Sequence, residues 1–102
     1  MQHSRVQIDV LYFGPIKDAV GIPEERVHLP PGATVGDLLT VLSERHGDRF
    51  REALLGTDGT LLPNAVFVLD GRNILHEQGT ETPIVKNGTV HLLVMASAVG
   101  GG

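Results

Sequence analysis

The chain has no cysteine and no tryptophan, one tyrosine and three phenylalanines in 102 residues. Without cysteine there is no disulfide, no thiolate zinc site, no cysteine-ligated iron–sulfur cluster and no cysteine nucleophile. Basic residues are also scarce. Lys17 and Lys86 are the only lysines, the arginines are scattered, and the formal net charge is −4. A nucleic-acid surface would be basic and an anionic membrane would need a polybasic patch, so neither partner is expected. No apolar run approaches the ~20 residues of a bilayer span. The opening MQHSRVQIDV lacks the basic start and apolar stretch of a signal peptide. The expected location is the cytoplasm.

What is present suits one packed domain: 41% of the residues are hydrophobic, too many for a disordered chain. Val6, Ile8, Val10 and Tyr12 alternate with Gln7, Asp9, Leu11 and Phe13, which predicts a strand with one face in a core. Gly14-Pro15 ends it, and IKDAV reads as a turn or half-helix closed by Gly21-Ile22-Pro23. Glu24 to Leu29 follows as an edge strand pairing back on the first. Thr34 is a good N-cap with Asp37 three residues on, and Val35, Leu38, Leu39 and Leu42 form one apolar helical stripe. Arg45 and His46 suit the negative end of that helix, and Gly47 suits the position just past it.

Asp48 to Leu55 reads as a further turn or short helix, and Asp58-Gly59 as a turn. Ala65 to Leu69 is a predicted strand, Asp70-Gly71 a hairpin turn, and Asn73 to Leu75 a short returning strand. His76 to Pro83 is polar and reads as a loop, and Asn87-Gly88 as a turn. The last strand is predicted from Thr89 to Ala96. A hairpin, a crossing helix and a final strand parallel to the first make an α+β layout, the β-grasp plan: a mixed sheet with one main helix on one face. Residues 1–96 are expected to form this single domain and 97–102 a flexible Gly-rich tail.

Few motifs carry chemistry. Gly32-Ala33-Thr34-Val35-Gly36 lacks the Gly-Lys-Ser/Thr ending of a phosphate loop and reads as a turn with an N-cap. The five histidines, His3, His28, His46, His76 and His91, show no metal-ligand spacing, so no metal site is expected. There is no Gly-x-Ser-x-Gly elbow, and the neighbouring Glu24 and Glu25 point to opposite faces of a strand. Nothing suggests a self-contained enzyme.

Two features remain. If Val6, Ile8, Val10, Val90, Leu92 and Val94 face the helix, then Leu11, Phe13, Leu93 and Met95 share the other face. They form either an exposed apolar patch for a protein partner or a surface covered by Asp48 to Leu55 or a loop. The second feature is the ending ASAVGGG. No Asp, Glu, Lys or Arg follows Lys86, so the last charge is the α-carboxylate of Gly102. Without Cβ atoms, Gly100 to Gly102 can lie extended in a narrow channel, and the uncharged tail avoids desolvating a side-chain charge there. The same composition also suits a merely frayed end.

Over roughly Val6 to Gly102 the chain resembles the MoaD/ThiS family of ubiquitin-like sulfur carriers. The likeness is carried by LYFGPIKDAVG, PPGATVGDLLTVLSERHG, NAVFVLDGRNI and VKNGTVHLLVMASAVGGG. Departures are Lys17 and Asp18 where Arg and Glu are common, Ala96 to Val99 where prolines are frequent, Asn87-Gly88-Thr89 for Asp-Gly-Asp, and three terminal glycines rather than two. The resemblance implies that a partner of the MoeB/ThiF kind adenylates the Gly102 carboxylate with ATP and magnesium, and that a sulfur donor then leaves a thiocarboxylate. It implies threading of Val99, Gly100 and Gly101 into partners, with Leu11, Phe13, Leu93 and Met95 as the docking contacts. The chain itself would bind no cofactor. The expected acceptor system is molybdopterin synthesis, with a large synthase subunit of the MoaE kind. Alternatives are sulfur supply for a thiazole or an amino acid, protein modification through an isopeptide bond, and a non-catalytic interaction module.

Overall fold

The computed structural model describes residues 5–58 and 61–95. The turn residue Gly59 and the whole of 96–102, tail and candidate residues Val99 to Gly102 included, lie outside the described residues. The alternation read from the sequence becomes strand β1, Val6–Phe13, whose even-numbered residues are buried and whose odd-numbered ones face outward. Helix α1, Pro15–Val20, follows and closes on Gly21, which takes a positive φ of 89°. Strand β2, Glu24–Leu29, returns antiparallel to β1 and forms one edge of the sheet.

Helix α2, Val35–His46, starts on a complete capping box. The Thr34 hydroxyl accepts from the Asp37 N–H at 3.2 Å, and the Thr34 N–H donates to the Asp37 carboxylate at 2.9 Å. Its stripe of Val35, Leu38, Leu39 and Leu42 is buried, as the spacing predicts. Helix α3, Asp48–Leu54, packs on α1 and α2 through the buried Phe50 and Leu54. Strand β3, Ala65–Leu69, turns through Asp70 and Gly71, both at positive φ, into the two-residue strand β4, Arg72–Asn73. Paired positive φ values are what a tight two-residue hairpin needs.

Here the structure departs from the expected strand Asn73 to Leu75. Ile74–His76 is a turn of 3-10 helix, because the Asn73 side chain accepts the Leu75 N–H at 2.9 Å and bends the chain inward. That bend buries Ile74. The polar segment after it is also more ordered than its composition suggests. A second 3-10 turn spans Gly79–Glu81, and the Thr82 carbonyl accepts the Val35 N–H at the start of α2. Ile84 donates its N–H to the Ala33 carbonyl, and its side chain is buried.

Strand β5, Gly88–Val94, begins one residue earlier than predicted, and Ala96 of the expected span lies outside the described residues. The sheet order is β2-β1-β5-β3-β4, with β5 parallel to β1 and antiparallel to β3. The core lies between the inner face of this sheet and the helices, and joins Ile8, Val10, Tyr12, Phe67, Val90 and Leu92 to Leu38, Leu42, Phe50 and Leu54. Among the described residues no helix is long and apolar enough to cross a membrane.

Candidate functional site: the outer face of the sheet

Residues two apart on a strand share a face, so the pairing registers define rows across the outer surface. One row runs Glu24, Leu11, His91, Val68 and Asn73 from β2 to β4. The next runs Phe13, Leu93 and Val66, and Met95 follows Leu93 beyond the end of β5. Leu11, Phe13, Leu93 and Met95 therefore stand together, as the sequence pattern predicts. Phe13 is 43% exposed and Met95 57% exposed. The covering expected as the alternative is absent among the described residues for α3, since it packs on α1 and α2 on the opposite side of the sheet.

The pattern did not name three members of this surface. Val66 and Val68 extend it onto β3, and His91 stands between Leu11 and Val68. The His91 ring stacks on Phe13 with centroids 5.7 Å apart and planes 14° from parallel. A polar ring in an apolar field supplies a directional contact there. The signal was available: His91 alternates with Leu93 on the same strand, and so must face the same way.

The other half of this face is polar. Arg26 pairs with Asp9 at 2.9 Å, and Thr89, Gln7 and His28 surround that pair in register. The apolar half thus lies at the end of the sheet where the chain leaves β5 toward residues 96–102. Asn64 holds that end, accepting the Met95 N–H with its backbone carbonyl and donating its side-chain amide to the Met95 carbonyl, both at 2.9 Å.

A second polar cluster lies on the inner face, at the β2 edge. The Glu25 carboxylate accepts from the Tyr12 hydroxyl, from His46 and, at 2.7 Å, from Arg45. Burial alone would raise the Glu25 pKa, but the hydrogen bonds from Tyr12, Arg45 and His46 outweigh it and hold the carboxyl below its usual range. Burial, reinforced by the bond to Glu25, pushes the Tyr12 hydroxyl well above the ordinary phenol range. The partners are 13, 20 and 21 residues away along the chain. With both oxygens accepting and its side chain 10% exposed, the carboxylate fastens β2 to the end of α2 rather than facing a substrate. Among the described residues no group of three or more His, Asp and Glu is placed to hold a metal ion.

Comparison with known proteins agrees with this architecture. No curated protein sequence matches the chain. Small archaeal modifier SAMP1 of Haloferax volcanii superposes with a TM-score of 0.79 at 21% identity, over 90% of this chain and 98% of that one. A putative molybdopterin converting factor subunit 1 from Pyrococcus furiosus gives 0.70 at 24% identity, over 89% of this chain and 99% of that one. A chain of the Amycolatopsis orientalis BexX/CysO complex gives 0.66 at 22% identity, over 93% and 99%. The sheet order and single main helix are thus those of the ubiquitin-like β-grasp fold. The model of the ThiS family matches residues 10–102, nearly the whole chain and through the three final glycines. The chain belongs to the ThiS family of ubiquitin-like sulfur carriers.

Proposed function

We propose that the chain carries sulfur as a thiocarboxylate on Gly102, and that its apolar outer face is where partners dock. One observation carries the reading: the exposed Phe13 and Met95, with the half-buried Leu93 between them, stand at the end of the sheet from which the chain continues toward residues 96–102. A partner seated on that face is beside the start of the tail.

The chemistry asks little of the chain beyond its terminus. The Gly102 carboxylate is a poor electrophile, since displacement would have to expel oxide. In an adenylating partner the carboxylate oxygen attacks the α-phosphorus of ATP, pyrophosphate leaves, and magnesium offsets the phosphate charge. Hydrosulfide then attacks the carbonyl carbon of the acyl-adenylate, AMP leaves, and loss of the S–H proton gives the thiocarboxylate. With no cysteine in the chain, no internal thiol competes for the activated carbon. Residues Val99, Gly100 and Gly101 would thread the partner's channel, and the folded body supplies the contact energy that offsets ordering of the tail. The adenylating partner is of the MoeB/ThiF kind.

Within this class we assign the sulfur to molybdopterin-type cofactor synthesis, with a large synthase subunit of the MoaE kind as acceptor. Intact mass tests the carrier step. After incubation with the adenylating enzyme, ATP, magnesium and a sulfide source, the mass should shift by the replacement of one oxygen by sulfur. Deleting Gly102 should abolish the shift, and an unchanged wild-type mass with its cognate enzyme would overturn the reading. Formation of molybdopterin from its precursor with the large subunit tests the pathway. Sulfur delivery only to a thiazole or amino-acid synthase would reassign it. The fold shared with SAMP1 favours protein modification as the second reading. That reading predicts isopeptide conjugates through Gly102, visible as higher-mass species in lysate.

A further inference from the structure

We propose that Asn64 is a positioning residue that sets the direction in which the chain leaves the sheet toward Gly102. The inference rests on the carrier reading for its consequence, but not for its geometry. The β3–β5 ladder ends at the pair Ala65 and Val94, and the next pair in register is Asn64 with Met95. The Met95 N–H donates to the Asn64 carbonyl as an ordinary ladder bond. The return bond is different, because it comes from the Asn64 side-chain amide, 2.9 Å from the Met95 carbonyl oxygen. A carbonyl oxygen only accepts, so the NH2 end of the amide must face it. This exchange frees the backbone of Asn64 to bend away into the turn closed by the Ala65 N–H on the Leu62 carbonyl.

The held group is the last backbone carbonyl before Ala96. Holding that carbonyl restrains the ψ torsion of Met95, the last backbone torsion before Ala96. Gly102 is seven residue steps beyond Met95, a reach of up to about 24 Å. A flexible tail of that length starts from a narrower range of directions when its root is held. Met95 also stands on the docking face beside Leu93. The clamp therefore ties the orientation of the docked body to the direction of the tail, and reduces the ordering that binding must accomplish.

The clamp is not needed to hold the fold. Met95 is 57% exposed and Asn64 only partly buried; when the side chain is lost the backbone bond from the Met95 N–H remains and water can satisfy the Met95 carbonyl. A purely structural role would thus leave turnover alone. The test compares Asn64→Ala, Asn64→Asp and Asn64→Gln in the full chain. Asp puts an acceptor where the donor stood, and Gln restores a donor on a longer arm. In adenylation by the cognate activating enzyme, Ala and Asp should lower kcat about tenfold with KM within about twofold, and Gln should recover part of the loss. Leu93→Asp should do the reverse and raise KM.

A second readout needs no partner. The chain has no cysteine, so Gly100→Cys accepts a single spin label. Relaxation enhancement at the Leu93, Val66 and Leu11 methyls should be graded across the face, and Asn64→Ala should flatten the gradient. Unchanged kcat together with an unchanged gradient overturns the clamp, as does a loss confined to KM. If the gradient flattens while the wild-type chain is never adenylated, the carrier reading fails and the clamp stands.

Discussion

The two faces of β1 both carry apolar residues toward its C-terminal end, and those residues do different things. On the inner face Val6, Ile8, Val10 and Tyr12 are buried against the helices. On the outer face Leu11 and Phe13 are just as apolar, yet Phe13 is 43% exposed, with the His91 ring stacked on it. Apolar residues that stay wet contribute little to folding, so their cost in solubility points to a use outside the fold. The contrast sharpens along the strand, because the outer face is polar at Gln7 and Asp9 and turns apolar only toward the departing tail.

The largest effect should come from the inner face. Leu92→Ala or Phe67→Ala removes a wholly buried side chain and should cost about 3–5 kcal/mol in urea unfolding. Glu25→Gln should cost about 2 kcal/mol, since Tyr12, Arg45 and His46 lose a charged acceptor. Its pH dependence has a definite sign. The folded pKa of Glu25 is depressed, so its stabilisation is fully present above the ordinary value of 4.5 and is lost as pH falls through the folded value. Wild-type stability measured by urea titration should fall below pH 4.5 more steeply than that of Glu25→Gln.

Gly88→Ala is expected to cost about 1 kcal/mol, a typical single-residue loss. An added Cβ would lie 2.5 Å from the Asp70 carboxylate and push it off the Thr89 N–H that it now accepts at 2.9 Å. The smallest stability changes belong to the outer face. Leu93→Asp and His91→Ala, both at half-buried positions, should each cost under about 1 kcal/mol in unfolding. Leu93→Asp should nevertheless weaken binding of the adenylating enzyme at least tenfold by titration calorimetry, and His91→Ala several-fold. A loss of several kcal/mol in folding from Leu93→Asp would erase the distinction between the faces.

What the sequence made legible follows the distance over which each feature is decided. The Thr34–Asp37 box and the Val35 to Leu42 stripe depend on neighbours three or four residues apart, and both stand as predicted. The four-residue patch followed from strand alternation and the parallel pairing of β1 with β5. The turn at Ile74 was hidden because one side chain, Asn73, overrides an alternating pattern with a local bond. The Glu25 cluster and the Asn64 clamp join residues 13 to 31 positions apart, and only the folded register brings them together.

The position of β5 has a mechanical consequence. It lies between β1 and β3, bonded along both sides, and the terminal segment continues from its end. A pull applied at the end of β5 along its axis loads both ladders in shear. Many hydrogen bonds then resist together, whereas an edge strand peeled sideways would yield them one at a time. The terminal segment therefore continues from a strand held on both sides, and a load along β5 is shared between two ladders.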